Sequence, residues 1–280
     1  MKQDTGKNRD ILDKFYTKEN TVKQCISLIK KYININFETD LVIEPSAGNG
    51  SFIQEIEKLS KNCKFYDIVP ENDKIIKQDY LQLDTNTIKN VYNNIHIIGN
   101  PPFGRQSSLA LKFIKFSTDF CNTLSFILPQ SFKKQSLKNK LNLNFHLIVE
   151  KELDENNFLL NGKDYNVPCI FQIWIKKEEK RTIITKKKSV CFDFVKKEDT
   201  PDLSIRRVGI NAGRIDTVID DKNIQSHNFI KFKSEYNKEK YITILKENYN
   251  LYDKNNTVGP RSISKQEIID LFEKSLNQKN

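Results

Sequence analysis

Long apolar runs are missing from this sequence. No window approaches the ~18 consecutive apolar residues of a membrane span, and the opening stretch, MKQDTGKNRD, lacks the apolar segment of a secretory signal. These absences predict a soluble, intracellular protein with no membrane partner. Internal repeats and low-complexity segments are missing as well.

Cysteine and histidine are scarce. The five cysteines form no Cys-x-x-Cys pair, so the sequence predicts neither a disulfide framework nor a zinc site, and we expect free, buried thiols. Two of the three histidines, His96 and His146, flank predicted strands, and we expect them to pack or to face solvent rather than to catalyse. The third, His227, receives no role. No metal is expected.

Positive charge, by contrast, is in excess. Lys and Arg number 46 against 36 Asp and Glu, which gives a net charge of +10 and hints at a polyanionic partner such as nucleic acid. The length of 280 residues is nearly twice the ~150-residue domain norm. We therefore expect one large domain and a smaller one.

Apolar spacing predicts alternating strands and helices over the first 178 residues. The first helix is predicted over residues 21–32, capped by Thr21 or Asn20. A strand that begins at Asp40 breaks into a glycine loop and resumes as a helix. Later strands are predicted at residues 64–69, 95–98, 124–128, 145–153 and 168–175, the last two as antiparallel neighbours. This alternation predicts an α/β fold whose mixed, mostly parallel sheet is covered by helices on both faces.

The composition changes near residue 179. A charged run, KKEEKR, precedes short β-like segments, so we divide the chain into a domain of residues 1–178 and a smaller region of residues 179–280 with β content. The β-like segments are residues 182–185, 189–195, 204–210 and 228–233. Ser264 and Glu267 form the Ser-x-x-Glu capping pattern ahead of an amphipathic helix.

A glycine loop follows the first predicted strand. In Glu44-Pro-Ser-Ala-Gly-Asn-Gly50, the glycines let backbone N–H groups approach a ligand without a Cβ in the way. Asp67 ends the next strand, where its carboxylate could accept hydrogen bonds from both ribose hydroxyls of a nucleoside cofactor, at about the 20-residue offset of dinucleotide folds. The two features together predict a nucleoside-cofactor site.

The segment Gly99-Asn-Pro-Pro-Phe-Gly104 is the most specific in the sequence. Its two prolines fix φ and hold the preceding residues extended, so the side-chain amide of Asn100 and the carbonyl of Pro101 can form a rigid pair of acceptors. Two acceptors on the exocyclic amine of adenine favour a pyramidal nitrogen whose lone pair can attack an electrophile. Phe103 offers an aromatic face on which an unpaired base can stack.

With these motifs in place, the chain resembles the adenine-N6 amino-group methyltransferases that use S-adenosylmethionine. The segment Phe15-Tyr-Thr17 is similar to the N-terminal motif of that family, with Lys18 where proline is usual, and Asp79-Tyr80 is similar to the segment that lines the cofactor adenine. The motif order is the gamma arrangement of the DNA enzymes. After the second strand the chain reads Asp-Ile-Val-Pro instead of the usual Glu-x-Asp, which leaves Asp67 or Glu71 as the ribose ligand.

The resemblance implies a Rossmann-like methyltransferase fold and assigns roles residue by residue. The cofactor-binding residues it implies are Phe15, Thr17, Glu44, Ser46, Ala47, Gly48, Gly50, Asp67, Asp79 and Tyr80. In this family the hydroxyl at the Thr17 position contacts the methionine carboxylate. The catalytic residues it implies are Asn100, Pro101 and Phe103, with Pro102 on the substrate side. No general base is expected, because the amine attacks a cationic sulfonium and the product ammonium loses its proton to water.

The implied substrate is DNA, methylated at adenine N6 with the target base flipped out of the duplex. The second region would then recognise the target, and a monomer is expected. Its candidate contacts to phosphate or base are the cations Lys186, Lys187, Lys188, Arg206, Arg207 and Arg214.

Three other functions stay open at this point. An RNA adenine-N6 methyltransferase would use the same loop, because Asn-Pro-Pro-Phe reads the base and not the sugar. A protein glutamine N5 methyltransferase has the related motif Asn-Pro-Pro-Tyr, although the basic region disfavours it. A catalytically silent methyltransferase fold that binds nucleic acid is disfavoured by the intact glycines, Asp67 and Asn100.

Overall fold

The computed structural model describes residues 15–160, 162–185, 187–248 and 261–277. The chain forms two compact units, one ending at Ile184 and the other beginning at Thr185. The boundary placed from the sequence lies between residues 178 and 179. Within the described ranges, no helix is long and apolar enough to cross a membrane.

The first unit is built from short strands and helices in alternation. Its strands are β1 (Tyr16–Thr17), β2 (Leu41–Glu44), β3 (Asn62–Asp67), β4 (Ile76–Lys77), β5 (Ile95–Gly99), β6 (Thr123–Pro129), β7 (Phe145–Glu152), β8 (Phe158–Leu160), β9 (Lys163–Tyr165) and β10 (Cys169–Lys176). Its α-helices are α1 (Glu19–Tyr32), α2 (Ile53–Ile56), α3 (Thr85–Val91), α4 (Ser108–Thr118) and α5 (Gln135–Lys138). Its 3-10 turns are Tyr80–Gln82, Arg105–Ser107 and Gln130–Lys133.

A seven-stranded sheet forms the centre of this unit, in the order β4-β3-β2-β5-β6-β10-β7. The pairs β3–β4, β2–β3, β2–β5 and β5–β6 are parallel, and β10 runs antiparallel to both β6 and β7. The predicted mixed, mostly parallel sheet is therefore confirmed, as is the antiparallel pairing of the last two predicted strands. The order reverses between β2 and β5, and open α/β sheets bind ligands at the carboxyl ends of the strands beside such a reversal.

Continuous apolar sequence explains why the central strands lie inside. Every residue of β2, β5 and β6 is buried, as expected for strands covered on both faces. Helix α4 contributes Phe113 and Ile114 to the same core, which also includes Trp174 of β10. A second, three-stranded sheet pairs β1 with β8 and β8 with β9, all antiparallel.

Helix α1 begins earlier than the sequence suggested. It buries Val22, Cys25, Ile26 and Ile29 at helical spacing, which confirms an amphipathic helix. The predicted caps Thr21 and Asn20 are wrong, because the helix begins at Glu19 with Lys18 in the N-cap position and without a side-chain cap. The Thr21 hydroxyl instead donates to Asn157 Oδ1 at 2.9 Å, so a long-range partner replaces the local backbone.

The charged run after β10 stays with the first unit. Arg181 donates three hydrogen bonds to backbone carbonyls and lies over the Trp174 ring, 5.6 Å from its centroid. The carbonyls belong to Lys138, Leu141 and Phe145. Residues 182–185 form no strand, so the β-like segment predicted there is wrong. Asn139 Nδ2 donates to the Ile184 carbonyl at 2.8 Å, which holds this stretch as irregular backbone.

Over its described residues, the second unit is a four-stranded antiparallel sheet with two helices. Its strands are β11 (Phe192–Val195), β12 (Leu203–Arg206), β13 (Ile215–Asp216) and β14 (His227–Phe232), in the order β11-β14-β12-β13. Its helices are α6 (Lys238–Glu247) and α7 (Lys265–Asn277), and a 3-10 turn covers Lys197–Asp199. Aromatic rings pack its core, with Phe272 5.2 Å from both Phe192 and Tyr241. The predicted capping box is confirmed, because Ser264 and Glu267 each accept the other's backbone N–H.

Candidate functional site

A cavity of about 280 Å³ opens at the carboxyl ends of β2, β3, β4 and β5. It is near the lower end of the ~300–1,000 Å³ range of small-molecule sites. The predicted site residues that line it are Phe15, Ser46, Gly48, Asp67, Asp79, Tyr80, Asn100, Pro101, Pro102 and Phe103. The predicted residues Thr17, Glu44, Ala47 and Gly50 are not among the lining residues.

The glycine loop is held by hydrogen bonds to β3. The Ala47 N–H donates to the Tyr66 carbonyl at 2.9 Å, and the Gly48 N–H donates to Asp67 Oδ2 at 2.8 Å. Gly48 has φ +56°, a conformation that L side chains rarely adopt. Gly50 has φ +86°, which also favours glycine, and a Cβ there would lie only 2.6 Å from Ile53 Cδ1 at the start of α2.

Asp67 rather than Glu71 reaches the cavity. Asp67 accepts a second backbone hydrogen bond at Oδ1, from the Val69 N–H at 2.8 Å, so both of its oxygens meet amides of neighbouring loops. Glu71 does not line the cavity, and its Oε1 accepts a hydrogen bond from the Tyr16 hydroxyl at 2.6 Å.

Asp79 and Tyr80 have different surroundings although they are adjacent. Asp79 Oδ1 accepts the Leu81 N–H at 3.0 Å and so begins the 3-10 turn after β4. The Tyr80 ring is buried and stacks on Phe113 with centroids 5.5 Å apart, and its hydroxyl lies 2.8 Å from Ser117 Oγ. Burial raises the pKa of Tyr80 well above its usual range. Its side chain is therefore part of the core as well as a wall of the cavity.

The Asn-Pro-Pro-Phe segment leaves β5 close against β2. Gly99 has φ +153°, and a Cβ there would lie 3.2 Å from Glu44 Cγ. The Ser46 hydroxyl donates to the Asn100 carbonyl at 3.1 Å and thereby joins the two loops. The Asn100 amide nitrogen donates to the Phe15 carbonyl at 3.4 Å and to Thr17 Oγ1 at 3.3 Å.

One oxygen of this segment is left without a partner. Asn100 Oδ1 is buried and makes no hydrogen bond within the part of the chain that the structure describes. A buried acceptor without a donor lowers the free energy of unfolding, so such atoms are uncommon in native proteins. One that lies at a cavity indicates a ligand that supplies the missing donor. Asn100 lines the cavity, so this unpartnered oxygen is an acceptor that belongs to a residue of the cavity wall.

Phe103 is anchored at both its ring and its backbone. The ring is 6.4 Å from that of Phe15, tilted by 33°, and its carbonyl accepts the N–H groups of Leu109 and Ala110 in α4. Phe15 in turn stacks on Tyr165 of β9 with centroids 5.2 Å apart. An aromatic wall at the cavity is thus fixed from both sides.

Glu44 is a buried carboxyl beside the cavity. It is 2% exposed, and its Oε2 has no hydrogen-bond partner among the described residues. Burial, with the negative charge of Asp67 as a smaller cause, raises the pKa of Glu44 well above its usual range. A positive charge placed nearby would favour its ionised form.

The three histidines lie outside the cavity. His96 is buried between Thr123 Oγ1, at 2.8 Å, and Asp40 Oδ2, at 3.2 Å, and burial lowers its pKa. His146 Nε2 lies 2.8 Å from the Glu179 carbonyl oxygen. Over the described ranges, no group of three or more His, Cys, Asp or Glu could hold a metal ion.

The candidate target contacts belong to the second unit. Arg206 Nε donates to the Val208 carbonyl at 3.2 Å, whereas the exposed Arg214 pairs through Nε with Asp216 at 3.4 Å. Arg207 is exposed, as is Lys188. Lys187 pairs with Asp270 and Glu273 of α7. Lys186 lies outside the described residues.

Several lining residues were missed by the sequence reasoning. They are Tyr16, Pro45, Ile68, Gln78, Leu81, Leu109 and Phe113. Leu109 and Phe113 lie one helical turn apart at the start of α4, and that spacing directly after the Asn-Pro-Pro-Phe segment is a signal that could have found them. The hairpin β8–β9, which brings Tyr165 to Phe15, gave no such signal.

The chain is similar to several solved structures of methyltransferases. No protein-family model matches the chain, and no curated protein does. A candidate RNA methyltransferase from Pyrococcus horikoshii is 16% identical, with 62% of this chain and 93% of that one covered and a TM-score of 0.43. An rRNA methylase from Streptococcus thermophilus is 16% identical, with 56% and 93% covered and a TM-score of 0.35. A candidate methyltransferase from Streptococcus mutans, solved with SAH, is 15% identical, with 56% and 97% covered and a TM-score of 0.35.

At such low identities and TM-scores, these likenesses carry no argument about substrate. The fold assignment rests on the strand order and on the single antiparallel strand β10. The first unit has a Rossmann-like methyltransferase fold. That prediction from the sequence is confirmed.

Proposed function

We propose that this chain transfers a methyl group from S-adenosylmethionine to the N6 amine of adenine in DNA, with the target base outside the duplex. The observation that carries the proposal is that Asp67 and Gly48, from the cofactor motifs, line the same cavity as Asn100 and Phe103. Transfer between two nucleosides needs donor and acceptor groups held in one such space.

The residues fit this cofactor. Asp67 and Asp79 bring carboxylates to the cavity, suited to the hydroxyl and amine donors of a nucleoside. The buried, unpartnered Oε2 of Glu44 stands beside the glycine loop, where a cationic ligand would stabilise its ionised form. When bound, S-adenosylmethionine supplies an electrophilic methyl group on a sulfonium.

Asn100 and Phe103 would act on the adenine. Asn100 Oδ1 accepts a hydrogen bond from the N6 amine and so turns the nitrogen lone pair out of conjugation with the ring. Phe103 stacks on the base and fixes its plane. The product ammonium is acidic and releases its proton to water, so the absence of histidine from the cavity wall does not impede the reaction.

The second unit is proposed to recognise the target. Arg207 and Arg214 are exposed on it, and exposed guanidinium groups can bind phosphate or guanine through two donors. We expect Arg207→Ala to reduce the log–log salt slope of DNA binding by about one unit if it contacts a phosphate. Lys240→Ala, which removes an exposed cation outside the set of candidate contacts, is the matched control. Equal salt slopes for both variants and the wild type would remove Arg207 from the interface.

The decisive experiment supplies methyl-labelled S-adenosylmethionine with DNA, RNA and protein in separate reactions, followed by digestion to nucleosides or amino acids. Labelled N6-methyladenine from DNA is the expected product. Label in RNA alone would replace DNA by RNA as the substrate, and label on glutamine would assign a protein substrate. S-adenosylhomocysteine binding without any transfer would indicate a silent fold.

A further inference from the structure

We propose that Thr17 is a positioning residue, whose hydroxyl joins the Phe15 carbonyl in holding the Asn100 amide so that Oδ1 faces the substrate amine. The proposal rests on the proposed function and adds to it a residue that touches neither the methyl group nor the base. It gives Thr17 a different task from the cofactor contact that the family resemblance implies.

Two contacts fix the Asn100 amide. Its nitrogen donates to the Phe15 carbonyl at 3.4 Å and to Thr17 Oγ1 at 3.3 Å. A carbonyl oxygen can only accept, so the group that faces Phe15 must be the NH₂ and not the oxygen. Because a primary amide has two hydrogens, both are used, and the plane of the amide is set by two anchors.

The consequence falls on the opposite end of the amide. Asn100 Oδ1 is the buried atom that finds no donor within the described residues. If the amide rotated by 180°, Oδ1 would face the Phe15 carbonyl, and two acceptors would oppose each other. The Phe15 carbonyl therefore selects the orientation that leaves Oδ1 for a ligand, and the Thr17 hydroxyl, as the second acceptor, holds the plane of the amide in that orientation.

Thr17 is itself held firmly. It is 6% exposed and pairs with Phe158 in the antiparallel ladder between β1 and β8. The next residue, Lys18, donates its N–H to the Asn157 carbonyl at 3.0 Å. The stacking of Phe15 on Tyr165 fixes the other side of the strand. An anchor on a paired strand can orient a side chain more exactly than one on a loop.

The first test reads the contact without any substrate. In protein labelled with ¹⁵N-asparagine, the side-chain amide signal that disappears in Asn100→Asp belongs to Asn100. We expect Thr17→Val to shift this signal and to speed its hydrogen exchange several-fold, and Thr17→Ser to restore both. Thr118→Val is the matched control, because it removes a buried hydroxyl that donates to the Lys115 carbonyl at 3.0 Å, away from the cavity. An Asn100 signal unchanged by Thr17→Val would overturn the proposal whether or not the protein methylates DNA.

The second test separates positioning from cofactor binding. We expect Thr17→Val to lower kcat roughly five- to tenfold, the effect of one hydrogen bond, with the affinity for S-adenosylhomocysteine unchanged. Thr17→Ser should recover kcat. Weaker S-adenosylhomocysteine binding with kcat unchanged would overturn the proposal and assign Thr17 to the cofactor. If wild-type protein methylates no nucleic acid, the proposed function fails, and the exchange measurement still decides whether Thr17 orients Asn100.

Discussion

The loops after β2 and β5 line one cavity, yet they differ in whether their polar groups are hydrogen-bonded within the chain. In the loop after β2, the Gly48 N–H and Asp67 carboxylate satisfy each other at 2.8 Å. In the loop after β5, Asn100 Oδ1 is buried with no donor among the described residues. The Gly48–Asp67 contact is thus complete in the free protein, whereas the loop after β5 holds a buried acceptor that has no donor.

This difference distinguishes contacts that stabilise the fold from an acceptor that is left for the reaction. A hydrogen bond closed within the chain contributes to folding, whereas a buried acceptor left open costs about 1–3 kcal/mol until a partner arrives. Substitutions in the loop after β2 should therefore affect folding and cofactor binding together. Removal of the Asn100 acceptor in the loop after β5 should act mainly on turnover.

The largest effect is expected for Asn100→Ala. It removes the acceptor that acts on the nucleophile, so kcat should fall roughly 100- to 1,000-fold while the affinity for S-adenosylhomocysteine changes little. The Tm should fall modestly, because the two hydrogen bonds that the amide donates are lost as well. Kinetics with labelled methyl donor measure kcat, and calorimetric titration measures the affinity for S-adenosylhomocysteine. The exposed Asn86→Ala is the control. A comparable loss of S-adenosylhomocysteine affinity would erase the contrast between the loops.

Asp67→Ala should act on both binding and folding. It removes an acceptor of two backbone N–H groups, and a hydrogen bond to a charged group contributes about 1.5–3 kcal/mol. We expect S-adenosylhomocysteine to bind at least about tenfold more weakly and the Tm to fall. Glu71→Gln is the matched variant, because Glu71 lies outside the cavity. If Glu71→Gln weakened binding more than Asp67→Ala, Glu71 would be the ribose ligand.

Phe103 tests the aromatic part of the second loop. Because the ring is buried against Phe15, Phe103→Ala would also open a cavity, so Phe103→Leu, which keeps apolar volume without an aromatic face, is the sharper variant. We expect Phe103→Ala and Phe103→Leu to lower kcat/KM by an amount that corresponds to about 1–3 kcal/mol of activation free energy. Phe103→Tyr should have a smaller effect, because it keeps the aromatic face. Full activity of Phe103→Leu would remove stacking from the mechanism.

The smallest effect concerns Glu44 and depends on pH. Burial raises its pKa in the folded protein, so between about pH 4.5 and that raised value the folded state holds more protons than the unfolded chain. The stabilisation from this group is present below about pH 4.5 and is lost as pH rises through the window. Urea denaturation at several pH values should therefore show wild type losing stability relative to Glu44→Gln as pH increases. Exposed Glu155→Gln is the control, and parallel pH profiles for wild type and Glu44→Gln would contradict this expectation.

Sequence periodicity was reliable where the cause was local. The alternation of strands and helices, the pairing of the last two strands and the Ser264 capping box were predicted, since each depends on nearby residues or on continuous apolar runs. Thr21 was mispredicted as a cap because Asn157, 136 positions away, takes its hydroxyl. The boundary near residue 179 was placed inside the charged run, because nothing local shows that Arg181 binds three carbonyls of the first unit.

The sequence by itself determined which loops meet at the edge of the sheet, because parallel strands place the loops that follow them side by side. It also supplied the glycines and prolines that shape those loops. Only the tertiary structure decided that Gly48 lines the cavity while Gly50 serves α2. It also brought the Asn100 amide to its two acceptors, the Phe15 carbonyl and Thr17 Oγ1, which lie 85 and 83 positions away along the chain. Spacing along the chain carries no information on such a contact, because the contact exists only once β1 has paired with β8 in the second sheet.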